Sequence, residues 1–290
     1  MNQPIIAAAQ VENEIPGVKM SPPAISVVMA EFNTDPIHLA QSIQSMLDQT
    51  LQDFELLIVD DGGCNDLQEI ASTFGDPRIR ILHNGGNRGL VHSLNSAIHS
   101  ARSEYIARMD TDDIAAPNRL EKLYRFMLAH PEFTVIGSLA IEFSNKSRLG
   151  RLLGSAGEKG ASNLMRGDVP IHPSVMFRRS EIIAAGLYDD HHRAEDLALW
   201  CKLHLAQKRI HILDEVLLNY RVNPADYQKR RLRNRMGEIK VRLAYYPRLG
   251  AGLVDYLYIA KSVIAGTLPT SLMIFLRNRL VLGPKREMVA

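Results

Sequence analysis

Asp53-Phe54-Glu55-Leu56-Leu57-Ile58-Val59-Asp60-Asp61-Gly62-Gly63 is an apolar run that stops on two carboxylates and two glycines. It reads as a strand, with glycines at its end that permit a tight turn. Working outward, further short apolar runs lie at residues 25–29, 79–82 and 105–109, and amphipathic stretches separate them. In the first of these, Asp35 suits a helix cap and Pro36 the first turn, with Ile37, Ala40, Ile43 and Leu47 as one apolar stripe. Leu90, Leu94, Ala97 and Ala101 repeat the pattern. Pro117 opens a helix with Leu120, Leu123 and Met127 on one face, which His130-Pro131 ends. The order βαβαβαβα specifies an α/β fold with a mostly parallel sheet flanked by helices.

Beyond this regular half, the glycine-rich, basic stretch 148–167 reads as a mobile loop, a candidate lid. Residues 195–207 read as a helix with Trp200 and Leu203 inward, followed by β-like runs at 210–213 and 216–222. From Asp226 the composition changes: basic residues from Lys229 to Arg242 crowd one expected helix, and apolar stretches follow at 253–264 and 268–276. The expected organisation is a loose tail over 1–23, a catalytic domain over 24–225 and a basic, apolar helical extension over 226–290. A net charge of +2 is too mild to imply nucleic acid as a partner. The two cysteines, Cys64 and Cys201, have no metal-site spacing and suit a reducing compartment. No basic segment followed by an apolar one marks a signal peptide, so a cytoplasmic location is expected.

In a parallel α/β sheet ligands gather beyond the carboxyl ends of the strands. Two strands here end in acid: Asp60-Asp61 and Asp110-Thr111-Asp112-Asp113. In extended backbone, residues two apart project to one side about 6 to 7 Å from each other, so Asp110 and Asp112 can face one ligand. Hard oxygen donors of this kind suit Mg2+ or Mn2+. A single acidic strand end is more often a solvated turn; two in one sheet favour a site. The glycines of Gly85-Gly86-Asn87-Arg88-Gly89 lack dinucleotide-binding spacing, which disfavours an oxidoreductase. Ala30-Glu31-Phe32-Asn33 is not the glycine-rich basic loop of a sugar-nucleotide-forming nucleotidyltransferase.

These motifs, with His172-Pro173-Ser174-Val175-Met176 and Glu195-Asp196-Leu197-Ala198-Leu199-Trp200 downstream, resemble glycosyltransferase family 2 over roughly residues 24–221. The resemblance implies a GT-A-like fold and an inverting transferase that uses a nucleotide-sugar donor. It places Ala30 and Phe32 at the donor, with Phe32 where relatives carry a tyrosine. Asp61 would bond the nucleobase, Asp60 would support the turn, and Arg88 would approach the nucleotide. Asp110 and Thr111 would lie at ribose or metal, and Asp112 would coordinate Mn2+ or Mg2+ at the diphosphate. Asp196 would be the catalytic base, with Glu195 and, more weakly, His172 on the acceptor side. A histidine that some relatives carry is replaced here by Asn223.

The expected donor is a UDP-sugar and the expected acceptor a carbohydrate or lipid-linked hydroxyl, in bacterial-type polysaccharide or glycoconjugate synthesis. From a different class, a nucleotide-sugar-binding regulator or scaffold would keep the fold without the chemistry; the Asp110, Asp112 and Asp196 set argues against it. The extension over 226–290 suggests peripheral contact with the inner membrane face or packing on a twin subunit as a homo-oligomer.

Overall fold

Asp35 accepts hydrogen bonds from the backbone of Ile37 and His38 and so starts the first helix. In the computed structural model, which describes residues 21–145, 147–191, 193–222, 232–267 and 285–289, the first half runs β1 (Ile25–Glu31), α1 (Pro36–Leu47), β2 (Phe54–Asp60), α2 (Leu67–Phe74), β3 (Ile79–His83), α3 (Leu90–Ser100) and β4 (Tyr105–Arg108). β1 lies between β2 and β4 and is parallel to both, while β3 adds parallel to β2. Side chains alternate along β1. Val27 and Met29 join Leu39, Ile43 and Met46 of α1 on one face, and Val28 joins Leu94, Ala97 and Ile98 of α3 on the other. With both faces covered, the strands read as continuous apolar runs.

Both helical stripes turn inward as expected except at their first residues. Ile37 is 68% exposed and Leu90 is 38% exposed; the buried sides are Leu39, Ile43, Met46 and Leu47 in α1, and Leu94, Ala97 and Ile98 in α3. Each outlier sits in the first turn of its helix.

A two-residue strand β5 (Ile114–Ala115) leads into α4 (Arg119–Ala129), which buries Leu120, Leu123 and Met127 as expected. Then follow β6 (Phe133–Phe143), β7 (Leu149–Leu153), β8 (Gly157–Glu158), α5 (Ala161–Arg166), β9 (Met176–Arg178), α6 (Arg179–Ala184), α7 (Glu195–Leu205) and β10 (Arg209–Arg221). β9 is antiparallel to both β4 and β6 and joins the two halves of the sheet. The stretch read as a mobile lid is ordered structure instead. β7 pairs with β6 and β8 with β10, and Lys159 is buried against Asp168 at 2.9 Å. Its glycines turn between short strands. The two β-like runs after α7 form one strand, irregular in register around Leu213 and Val216.

The chain continues through α8 (Leu232–Tyr245) and α9 (Leu253–Thr267). The region assigned to a helical extension also supplies a strand, β11 (Lys285–Glu287), which pairs antiparallel with β7. Asn223, residues 229–231 and the second apolar stretch, 268–276, lie outside the described residues. Among the described residues no helix is long and apolar enough to cross a membrane.

Candidate active site

The carboxyl ends of β1, β2 and β4 lie side by side, because these three strands are parallel neighbours. At the end of β2, Asp61 is buried, and its carboxylate accepts the backbone N–H of Arg88 (2.8 Å) and Gly89 (2.9 Å) and the Asn84 amide (2.8 Å). Asp61 thus shapes the 84–89 turn. Asp60 accepts the Gly62 N–H at 2.9 Å and faces His83 at 3.1 Å. Gly62 has φ of +75°, and a Cβ there would lie 2.7 Å from the backbone of Gly86. Arg88 itself is exposed. At the end of β1, Ala30 is half-buried and the Phe32 ring is 47% exposed. Asn33 accepts the Cys64 N–H at 2.8 Å, Asn65 donates to Glu31 and to the Thr34 carbonyl, and Asp66 caps α2. Within the unusual Gly63-Cys64-Asn65-Asp66 segment, Cys64, Asn65 and Asp66 each therefore have a turn partner.

At the end of β4, the buried Arg108 pairs with Asp110 at 2.5 Å. Burial opposes the Arg108 charge, yet the carboxylate of Asp110 outweighs it and holds the guanidinium more firmly protonated than usual. Asp110 and Asp112 keep partial exposure, whereas Asp113 is buried. Burial first, then the charges of Asp110 and Asp112, raise the Asp113 carboxyl well above the usual range. Asp113 accepts the Arg221 N–H at 2.8 Å, and the Arg221 side chain donates to the Asp112 carbonyl at 2.6 Å. Thr111 is buried, with its hydroxyl 2.7 Å from that of Thr34. Ser42 of α1 donates to the Asp110 carbonyl at 2.8 Å. The acidic loop is thus held from both sides.

The accessible donor set fits a hard divalent cation with other ligands to come from a bound molecule: two part-exposed carboxylates and no sulfur or imidazole. Among the described residues no group of three or more His, Cys, Asp or Glu side chains would enclose a metal alone. The protein side of such a site would be Asp110 and Asp112.

Glu195 and Asp196 open α7. Ala194 is its N-cap, and Asp196 accepts the adjacent Leu197 N–H at 2.7 Å. Burial raises the Asp196 carboxyl, while Arg108 pulls it down. Burial and then the Asp196 charge push Glu195 up to about 7. His172 is buried, with Nε2 2.8 Å from the Tyr188 hydroxyl, and burial, then Arg108, push it well below the usual imidazole range, so it is neutral at neutral pH. Tyr188 is fixed by two 3.0 Å bonds between its backbone and the Asn95 side chain.

The family and the fold are shared with known proteins. The model of the family described as glycosyl transferase family 2 matches residues 26–183. The chain belongs to glycosyl transferase family 2. Among family 2 relatives, the Bacillus subtilis protein EpsE, named as a glycosyltransferase, is 30% identical over 276 residues, covering 93% of this chain and 98% of EpsE. The amylovoran biosynthesis glycosyltransferase AmsE of Erwinia amylovora is 33% identical over 71% of this chain and 79% of its own. The O-antigen biosynthesis glycosyltransferase WbnJ of Escherichia coli is 34% identical over 71% and 82%. Two solved structures share the fold. S. aureus TarS 1-349 in complex with UDP has a TM-score of 0.62 at 18% identity, covering 82% of this chain and 70% of that one. Mannosyltransferase PcManGT from Pyrobaculum calidifontis, in complex with GDP-Man and Mn2+, has a TM-score of 0.63 at 16% identity, covering 90% and 81%. The sheet is accordingly the GT-A fold of family 2.

Sequence reasoning passed over Arg108, Arg119 and Arg221. Arg119 is fully buried and donates to the carbonyls of Arg108 (2.6 Å) and Pro173 (2.8 Å), tying β4 to the turn that holds His172. Arg108 had a visible signal, a cation inside the otherwise apolar run Tyr105-Ile106-Ala107-Arg108-Met109. Arg119 and Arg221 had none, since arginines at a helix start and a strand end are ordinarily solvated.

Proposed function

We propose that this family 2 member is an inverting transferase that moves a sugar from a nucleotide-diphosphate donor, a UDP-sugar in the first instance, to a hydroxyl of a carbohydrate or lipid-linked acceptor. One observation carries the reading: the Asp110–Asp112 loop and the Glu195–Asp196 helix start, far apart in sequence, lie within electrostatic reach of one buried cation, Arg108. The names of AmsE and WbnJ support polysaccharide or glycoconjugate synthesis as the setting. The UDP bound to TarS and the GDP-Man bound to PcManGT support a nucleotide or nucleotide-sugar at the ends of β1, β2 and β4.

In this reading Asp61, Ala30, Phe32 and Arg88 line the nucleoside side, with the 84–89 turn kept in shape by Asp61. Asp110 and Asp112 would hold Mn2+ or Mg2+, and such an ion would supply positive charge for the departing diphosphate. Asp196 accepts the acceptor hydroxyl's proton as that oxygen forms its bond to the anomeric carbon and the bond to the diphosphate oxygen breaks, so the configuration inverts. Burial makes Asp196 a stronger base than a solvated aspartate. Glu195 and His172 shape the acceptor side, the latter through Tyr188.

A panel of nucleotide sugars, scored for hydrolysis and thermal stabilisation with Mn2+ and again after chelation, tests the proposal. One donor should stabilise and be turned over only with metal. Binding without turnover, with any hydroxyl acceptor supplied, would point to the scaffold reading instead.

A further inference from the structure

Helices that serve only to pack on a core turn their apolar residues inward. α8 and α9 do so in part, burying Ile239, Tyr246 and Ile259 in a small cluster with Met165. Their outer sides are apolar too. Of the eleven large apolar side chains exposed among the described residues, seven lie on these two helices, and Leu253 is 90% exposed. Met236 and Leu243 share one side of α8, and exposed Lys240 stands between them at helical spacing. Leu257 and Ile264 share one side of α9, with exposed Lys261 placed the same way. Each helix thus presents a lysine framed by two apolar residues.

The charge on this surface has one sign. The two acidic residues of 232–267 are Glu238 and Asp255. Glu238 bonds Arg242 at 2.9 Å, and Asp255 is buried with Arg166 at 3.6 Å. Along the chain, residues 256–286 contain no Asp or Glu but do contain Lys261, Arg277, Arg279, Lys285 and Arg286.

We propose that the outer faces of α8 and α9 dock on an anionic lipid surface, lying in the headgroup plane without spanning the bilayer. Apolar side chains enter the acyl boundary while lysine ammoniums, on flexible stems, reach lipid phosphates. A symmetric contact between two copies fits less well, because it would bring the same uncompensated lysines together with no carboxylate opposite. The placement has a geometric consequence. α8 packs against α7, and α9 against α5, so the lipid surface lies on the same flank of the molecule as the helix that starts with Glu195 and Asp196.

The test is co-sedimentation of the full chain with phosphatidylcholine vesicles, with and without about one third phosphatidylglycerol. The chain should bind the anionic vesicles, and raised salt should weaken binding. Lys240→Gln with Lys261→Gln should lower affinity about 10- to 30-fold. Leu257→Glu with Ile264→Glu should abolish binding, with the melting temperature of both double variants retained as evidence of folding. Absence of binding to anionic vesicles, or equal binding by the folded variants, overturns the proposal. So does a dimer in sedimentation equilibrium that Leu257→Glu with Ile264→Glu dissociates while vesicle binding is absent.

Discussion

At residue scale the decisive pair is Glu195 and Asp196. Asp196 is not the cap of α7, since Ala194 occupies that position, and its carboxylate accepts the neighbouring Leu197 N–H. Asp196→Asn keeps the size and removes the basic oxygen, so transfer should fall about 10²- to 10⁴-fold, with donor affinity and melting temperature nearly unchanged. Single-turnover kinetics and calorimetry on the same preparation check this; near-normal transfer would remove Asp196 as base. Glu195 carries a pH signature. Folding raises its carboxyl from an ordinary 4.5 to about 7, so the folded chain holds that proton more tightly than the unfolded chain. The stability contributed is complete below about pH 4.5 and is lost as pH rises through about 7. Glu195→Gln cannot ionise and escapes that loss. Its melting temperature relative to the parent should be higher at pH 8 than at pH 5, by the equivalent of about 1–3 kcal/mol after allowance for partial solvent exposure.

At the scale of elements, the strand end of β2 and the 84–89 turn form one unit. Asp61 joins them by three hydrogen bonds, and Gly62 lets the two backbones approach. Gly62→Ala would force a side chain into left-handed backbone, and its Cβ would meet the Gly86 backbone, which cannot rotate aside as a flexible side chain does. Stability should fall by about 2–4 kcal/mol, and nucleotide affinity should fall with it, because the disturbed turn lies at the ligand end of the sheet. Denaturant unfolding with nucleotide titration checks both; an unchanged midpoint would mean the turn relaxes freely. The acidic loop after β4 is similarly a joint product of β1, α1, β4 and β10, through Thr34, Ser42, Arg108 and Arg221.

Over the whole molecule, residues 285–289 add to one edge of the sheet whose strand ends carry the candidate site. Val289 exchanges two 2.9 Å hydrogen bonds with the buried Asn219 side chain on β10, and β11 pairs with β7. Two residues along β10 from Asn219, Arg221 holds the backbone of the acidic loop. A chain ending at Pro284 would leave the Asn219 amide without its partners, so its stability should drop by about 1–3 kcal/mol. Asn219→Leu in the shortened chain should recover part of that loss, because the unmet polar group is gone. Thermal melts of the three chains check this, and equal melting temperatures would show that the C-terminal strand is energetically idle.

The alternation of apolar runs and amphipathic stretches, the Asp35-Pro36 helix start and the acidic strand ends were legible from the chain alone, because periodicity, capping and turn chemistry are local. The parallel half and the identity of Asp60, Asp61, Asp110, Asp112 and Asp196 as candidates rest on those local signals and on the family pattern. Three things required the folded molecule. The burial of a helical stripe depends on what packs over each turn, so Ile37 and Leu90 stay exposed although their spacing fits. The 148–167 stretch becomes ordered because β6 and β10 offer it strand edges, which no local propensity reveals. The buried arginines Arg108, Arg119 and Arg221 acquire their roles only when β4, α4 and β10 meet, for a guanidinium's function is set by the distant carboxylates and carbonyls that tertiary packing brings to it.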